Sequence, residues 1–185
     1  MTDDASSIDR RVFIKTASAA GIGLAASSRL GPLMAQGNSP AERVRVAVMG
    51  LNGRGTVLAR TFARTANAEV AYLADVDAPV LARASTELKK VQEKPFREIA
   101  DFRRALDDKE VDALVIAAPD HWHAPATIVA MKAGKHVYVE KPCGHDAREG
   151  ELLLAAQRKF GRVVQMGTQQ RSAPQSIEII QAIHQ

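Results

Sequence analysis

Short apolar runs recur along the chain, and a segment with helical periodicity and polar breaks separates each run from the next. Strands that are buried on both faces have this continuous apolar character, because helices cover both sides of a parallel sheet. The alternation predicts repeated β-α-β units with right-handed crossovers, and hence an α/β fold with a doubly wound parallel sheet. The predicted strands are residues 44–49, 69–74, 111–118, 136–139 and 163–166. The predicted helices are residues 57–66, 78–90, 101–106, 124–133 and 147–160.

A glycine-rich turn follows the first strand and precedes a helical segment. Residues that lack a Cβ let the backbone turn sharply and approach a pyrophosphate, and free N–H groups at a helix start attract the anion. Gly50 and Gly55 take the first and third positions of the G-x-G-x-x-G fingerprint. Asn52 takes the second, and asparagine tolerates left-handed backbone better than most residues. The predicted dinucleotide contacts in this turn are Gly50, Asn52, Gly53, Arg54 and Gly55.

An acid ends the second predicted strand. Asp75 lies about twenty residues beyond the last glycine of the turn, where a carboxylate accepts hydrogen bonds from an adenosine ribose. The same charge repels a 2′-phosphate, and Val76 supplies no compensating arginine, so we expect NAD rather than NADP. The alternative is that Asp75 caps the helix 78–90, which Asp77 could do equally well.

The strand 136–139 stops abruptly at Glu140, Lys141 and Pro142. Ligands of open parallel sheets bind beyond the carboxyl ends of the strands, so Lys141 is predicted to face a ligand. The alternative is an ordinary strand end with two solvated charges.

Composition excludes several other classes of protein. The 185 residues are 46% hydrophobic and 25% charged, which suits one domain of moderate size with appendages. The net charge of +4 is dispersed among acids and only 4% of residues are aromatic, so no nucleic-acid partner is expected. Cys143 is the single cysteine and is interpreted as a small core filler. His121 and His123 lack an acid or cysteine at suitable spacing, so no metal site is expected, and Trp122 is as consistent with packing as with function.

The first 36 residues resemble a twin-arginine export signal. Arg10 and Arg11 precede an apolar pair and Lys15, and residues 16–28 are only mildly apolar. This resemblance implies recognition by the twin-arginine machinery, a periplasmic or extracytoplasmic location and no stable membrane anchor. The alternative is an amphipathic helix of a cytoplasmic protein. Unchanged export after replacement of both arginines by lysine would refute the export hypothesis.

Four segments together resemble the Gfo/Idh/MocA oxidoreductases, and in particular their exported members. They are the glycine-rich turn at 50–55, Ala118-Pro119-Asp120-His121-Trp122-His123, residues 133–142 ending in Glu140-Lys141-Pro142, and residues 165–172.

The resemblance implies a Rossmann domain, here residues 37–170, that binds NAD and acts on a sugar, a polyol or a sugar-like substrate. It places Lys141 beside the nicotinamide ring as the catalytic residue. Glu140 and Pro142 are expected to contact the cofactor as well. A homo-oligomer is possible. The same resemblance places Pro119, Asp120 and His123 in the cofactor cleft.

Family members continue into a second, α+β domain that supplies most of the substrate pocket. We therefore expect that domain to be absent or truncated here, with residues 171–185 at its start. A helix is predicted from Pro174, with Ile177, Ile180 and Ile183 on one face. Nucleotide binding is expected with weak or no turnover. The alternatives are a fragment of an exported NAD-dependent glycosidase of the same family and a non-catalytic nucleotide-binding module.

Overall fold

The structure is a computed structural model that describes residues 43–184. The predicted export signal, with Arg10 and Arg11, lies outside the described residues. No described helix is both long enough and apolar enough to cross a membrane.

One six-stranded sheet forms the centre of the described region, and every neighbouring pair of strands is parallel. The strand order is β3-β2-β1-β4-β5-β6, so the chain winds outward from the centre in both directions, which confirms the doubly wound sheet. The pattern located no residues for β3, because two of its three residues are charged and no apolar run marks it. The strands are β1 (Val44–Met49), β2 (Ala68–Ala74), β3 (Arg97–Ile99), β4 (Ala113–Ile116), β5 (His136–Glu140) and β6 (Val164–Gly167).

Within residues 43–184, six α-helices connect or follow the strands, and most begin within two residues of the predicted position. Asp77 and Asp146 each accept a hydrogen bond from a backbone N–H in the first turn of the helix that follows, which ends the preceding loop. The largest difference from prediction is that α1 begins three residues early, inside the glycine-rich turn itself. The helices are α1 (Arg54–Arg64), α2 (Ala78–Lys89), α3 (Arg103–Leu106), α4 (His123–Lys132), α5 (Ala147–Phe160) and α6 (Pro174–Ile183).

Two apolar cores lie on opposite faces of the sheet, because successive side chains of a strand point to opposite sides. Along β1, Val46 and Val48 pack with residues of α1 and α2, whereas Ala47 and Met49 pack with residues of α3, α4 and α5. This arrangement explains why the central strand β4 is apolar at every position and its neighbour β1 at every position except Arg45. Cys143 is half-buried against the core that contains Ala47 and Met49, in the filler role predicted for it.

The strand order reverses between β1 and β4, and the two loops that leave these strands contact each other. Gly50 follows β1 with a φ of +79°, and a Cβ at this position would lie 2.4 Å from the backbone nitrogen of Ala118, after β4. Ligands of doubly wound folds bind in the crevice at such a reversal. The fold therefore places the glycine-rich turn at the edge where a ligand is expected.

The last described helix, α6, begins at Pro174 as predicted. The side chains of Ile177, Ile180 and Ile183 are all exposed, and that of Ile183 is 70% exposed.

Replacing Gly55 by alanine should destabilise the fold, because the new Cβ would lie 1.7 Å from the carbonyl oxygen of Gly50. We expect a loss of about 1–3 kcal/mol or more in the free energy of unfolding, measured by urea denaturation. Gly150→Ala is the matched control, since that glycine is also helical and has open space around it. It should stabilise the protein by about 0.4–1 kcal/mol. Equal effects of the two substitutions would contradict this account of the turn.

Candidate functional site

The start of α1 offers unpaired backbone donors at the sheet edge. Val57 is the first residue of this helix whose N–H bonds back to a carbonyl, that of Gly53, so the amides of Arg54, Gly55 and Thr56 have no acceptor within the helix. No side chain caps these donors. A phosphate group would satisfy them and would benefit from the helix dipole.

The residues of the turn with a positive φ are Gly50 and Gly53, at +79° and +62°, and Asn52 is not among them. No other type of residue within 43–184 has a positive φ. The conformational tolerance of asparagine is therefore not what lets Asn52 replace the second glycine. Asn52 is exposed and lines a groove between α1 and α2, so a side chain fits at this position.

Asp75 holds the glycine-rich turn from the end of β2. Its Oδ2 accepts a hydrogen bond from the Leu51 N–H at 2.7 Å, and its Oδ1 accepts one from the Asp77 N–H at 3.0 Å. The helix cap is Asp77, which accepts from the Val80 N–H at 3.1 Å, so the capping alternative for Asp75 is wrong. The half-buried carboxylate of Asp75 instead lies at the junction of the turn and a cleft.

That cleft, which we call the apolar cleft, has a volume of about 310 Å³. Gly50 and Asp75 line one part of it, and aromatic residues line another. Trp122 packs edge-on against Phe102, with 6.3 Å between ring centroids, so this residue both packs and lines the cleft. Pro119 belongs to this cleft, apart from the other residues of its predicted group.

A second cleft, the lysine cleft, has a volume of about 450 Å³. It joins residues from the start of α1 and from the carboxyl ends of β4, β5 and β6. Ala118 lines both clefts, so they meet where the loop after β4 contacts Gly50. The lining residues are Arg54, Ala117, Ala118, Asp120, His123, Glu140, Lys141 and Gln169.

Lys141 is exposed in the lysine cleft, directly after β5. Its ammonium group has no ion-pair or hydrogen-bond partner among residues 43–184. A primary ammonium in this position can donate to a ligand hydroxyl or stabilise a developing negative charge.

His123 ties two strand ends together and is fully buried. Its Nδ1 lies against the carbonyl oxygen of Pro142, and its Nε2 lies 2.8 Å from that of Ala118. A neutral imidazole donates to only one of these oxygens, whereas an imidazolium donates to both. With both nitrogens facing carbonyl groups, the ring supports the loop beside Lys141 and offers no free lone pair to a ligand. Nor do three side chains able to bind a metal gather anywhere within 43–184.

Glu140 is buried, and its carboxylate bonds to protein groups. The side chain is only 9% exposed, and Oε1 accepts hydrogen bonds from Arg54 Nε at 2.9 Å, Gln169 Nε2 at 2.6 Å and the Tyr138 hydroxyl at 3.3 Å. Burial raises the pKa of Glu140, but the hydrogen bonds from Gln169 and Arg54 and the charge of Arg54 outweigh burial and hold this pKa below its usual value. Glu140 is therefore ionised at neutral pH.

Arg54 shows the complementary effect. Its hydrogen bond to Glu140 raises the pKa of Arg54 against the opposing effect of burial. The ion pair joins the first residue of α1 to the last residue of β5, 86 positions apart.

Sequence reasoning assigned no role to Gln169, Tyr138 or Phe102. Gln169 lies in one of the segments that carried the family resemblance, but nothing in that segment indicates its bond to a glutamate 29 residues earlier. Phe102 lies in a predicted helix, and only the folded chain brings it beside Asp75 and Trp122.

The sheet order, the glycine-rich turn and the acid after β2 define a dinucleotide-binding Rossmann protein. Residues 44–168 match the sequence model of the Gfo/Idh/MocA family, described as "Oxidoreductase family, NAD-binding Rossmann fold". The chain belongs to this family, as the sequence resemblance predicted.

Two relatives are 34% and 31% identical over about three quarters of the chain. A glycosyl hydrolase family 109 protein from Shewanella sp. (strain ANA-3) is 34% identical over 159 residues, covering 74% of this chain and 34% of the relative. An inositol 2-dehydrogenase from Rubrobacter xylanophilus is 31% identical over 144 residues, covering 77% and 40%. The crystal structure of myo-inositol 2-dehydrogenase from Lactobacillus plantarum is 26% identical with a TM-score of 0.63, covering 71% and 38%. The chain thus spans little more than a third of the length of these relatives.

The stabilising effect of Glu140 should depend on pH. Because the pKa of Glu140 is lowered in the folded protein, its ionised form stabilises the fold fully above the unfolded pKa of about 4.3, and this stabilisation is lost as pH falls further. We expect Glu140→Gln to lower the free energy of unfolding at pH 7. The free energies of unfolding of the variant and the wild type should converge as pH falls below about 4.

Urea denaturation at several pH values measures this difference. Glu151→Gln serves as the control, because the ion pair of Glu151 with Arg148 lies on the exposed surface of α5. This control should differ little from wild type at any pH. A Glu140→Gln difference that stays constant down to pH 3 would contradict the assignment.

Proposed function

We propose that this chain binds NAD in preference to NADP and forms the nucleotide-binding part of a dehydrogenase of sugars, polyols or sugar-like substrates. The observation that supports this most strongly is the placement of Asp75, the free amides of α1 and Lys141 along one edge of the sheet. Family membership supports the oxidoreductase class.

In this proposal each part of the cofactor has a matching part of the site. The apolar cleft takes the adenosine, with a ribose hydroxyl donating to Asp75. The amides at the start of α1 take the pyrophosphate, since they have no other acceptor within the helix. The lysine cleft takes the nicotinamide end.

The preference for NAD follows from the charge on Asp75. A 2′-phosphate beside this carboxylate would be repelled, and the neighbouring Val76 is an exposed apolar residue that offers no positive charge. Arg103 also lines the apolar cleft, but its guanidinium pairs with Asp101 at 3.3 Å.

Bound NAD would supply the hydride acceptor for oxidation of a substrate alcohol. Lys141 is the catalytic residue in this proposal, because its unpaired ammonium can orient a substrate hydroxyl and stabilise the alkoxide that forms as the hydroxyl proton passes to water, before the hydride leaves for NAD. His123 keeps the loop after β5 in place through the Pro142 carbonyl.

The names of the relatives favour two kinds of activity. One relative is an inositol 2-dehydrogenase, which supports oxidation of a cyclic polyol. Others are glycosyl hydrolase family 109 proteins, and one from Shewanella oneidensis is an alpha-N-acetylgalactosaminidase, which supports a second candidate, NAD-dependent glycoside cleavage. A third candidate is nucleotide binding without catalysis, in which the two clefts hold NAD but no substrate is converted.

Asp75→Asn should weaken NAD binding about 10- to 100-fold, because a charge-assisted hydrogen bond to the ribose becomes a neutral one. NADP binding should weaken less or improve, so the ratio of the two dissociation constants should fall. Isothermal titration with both nucleotides measures this ratio. Asp107→Asn is the control, since Asp107 lines neither cleft. Wild-type protein that fails to bind NAD at millimolar concentration would contradict the proposed function.

Turnover assays distinguish the three candidates. A polyol dehydrogenase should produce NADH from inositols, whereas a glycosidase of this kind should release nitrophenol from a nitrophenyl N-acetylgalactosaminide without net NADH. Lys141→Met should abolish either activity while changing the dissociation constant of NAD by less than about tenfold. Tight NAD binding with neither product would favour the non-catalytic candidate.

A further inference from the structure

The lysine cleft contains an ion pair that joins two parts of the proposed cofactor site. Arg54 is the first residue of α1, beside the amides proposed to bind the pyrophosphate. Glu140 is the last residue of β5, and Lys141 follows it directly in the chain. The bond from Arg54 Nε to Glu140 Oε1 is 2.9 Å long and connects the start of α1 to the end of β5 in the lysine cleft.

The two partners differ in exposure. The Glu140 side chain is 9% exposed, whereas that of Arg54 is 41% exposed and lines the cleft. A guanidinium has five donor hydrogens, and the bond to Glu140 uses the one on Nε. Arg54 can therefore donate to a pyrophosphate from its terminal amino groups without leaving Glu140.

Two further side chains besides Arg54 also hold the Glu140 carboxylate. Gln169, from the turn after β6, donates to the same carboxylate oxygen at 2.6 Å, and Tyr138 of β5 donates at 3.3 Å. Gly167 packs so closely that a Cβ there would lie 2.5 Å from the Tyr138 hydroxyl and 2.9 Å from Glu140 Oε1. The carboxylate is thus confined by neighbours from β5 and β6, and Arg54 is its contact with α1.

We propose that Arg54 and Glu140 couple occupation of the pyrophosphate site to the position of Lys141. In this role Glu140 is a positioning residue, because it acts through its ion pair and through the backbone it shares with Lys141. A pyrophosphate held by Arg54 restrains the Arg54–Glu140 pair and so orders the strand end from which Lys141 projects. This inference rests on the proposed function, since it assumes that a dinucleotide fills the apolar cleft and the lysine cleft.

The test compares binding of NAD with binding of ADP-ribose, which lacks the nicotinamide ring. The dissociation constant of ADP-ribose divided by that of NAD reports what the nicotinamide end adds to affinity. Glu140→Gln should reduce this ratio about threefold to thirtyfold while changing the ADP-ribose constant little. Arg54→Met should weaken both ligands and also reduce the ratio. If the residues act as a pair, the double variant should show a ratio no smaller than that of the more affected single variant.

Arg148 and Glu151 provide a matched control pair on the exposed face of α5. The corresponding Arg148→Met and Glu151→Gln variants should leave both dissociation constants unchanged. Variants of Arg54 and Glu140 that lose stability but keep the wild-type ratio would show a purely structural role and overturn the inference. Wild-type protein that binds neither ligand would instead overturn the proposed function.

A second measurement uses inorganic pyrophosphate as the probe and needs no NAD. In the wild type, pyrophosphate should shift the amide resonance of Lys141 in an NMR titration, and Glu140→Gln should remove most of this shift while the Gly55 resonance still responds. A Lys141 resonance that does not move, or that moves equally in the Glu140→Gln variant, would overturn the inference.

Discussion

Close approach of backbone to backbone at the end of β1 is the constraint on which the site depends. Gly50 lies against the loop after β4, and Gly55 lies against the carbonyl of Gly50, so neither position has room for a Cβ. These two contacts bring the start of α1 up to the sheet edge, where its free amides face the crevice. A larger residue at either position would move the helix away from the edge and separate the two clefts that meet at Ala118.

Electrostatic interactions also stabilise the site. A buried carboxylate costs free energy unless its charge is compensated, and Glu140 is compensated by one cation and two neutral donors drawn from three parts of the fold. Lys141, the next residue, has the opposite environment, with no partner among the residues that the structure describes. The two neighbouring residues at the end of β5 thus have different roles. Glu140 stabilises the loop, whereas Lys141 remains available to a ligand.

Sequence patterns predicted the regular part of the fold well, because continuous apolar strands and helix caps are local signals. They predicted the bounds of β1 and α5 and the glycine-rich turn after β1. They did not predict β3, because Arg97 and Glu98 carry no apolar pattern. They also left open whether Asp75 or Asp77 caps α2, since spacing alone fits both. The bond from Gln169 to Glu140 could not be predicted, because it depends on how β6 pairs with β5.

The two backbone bonds of Asp75 have a consequence for redesign of the site. The carboxylate proposed to recognise the ribose also accepts the Leu51 N–H that holds the turn in shape. In this proposal, cofactor choice and loop integrity share a single side chain, so neither trait can evolve independently at this position. A variant that accepts a phosphorylated ribose would need a replacement acceptor for Leu51 in addition to a new positive charge. Such a route requires at least two coordinated substitutions, which would make the proposed preference for NAD resistant to gradual drift.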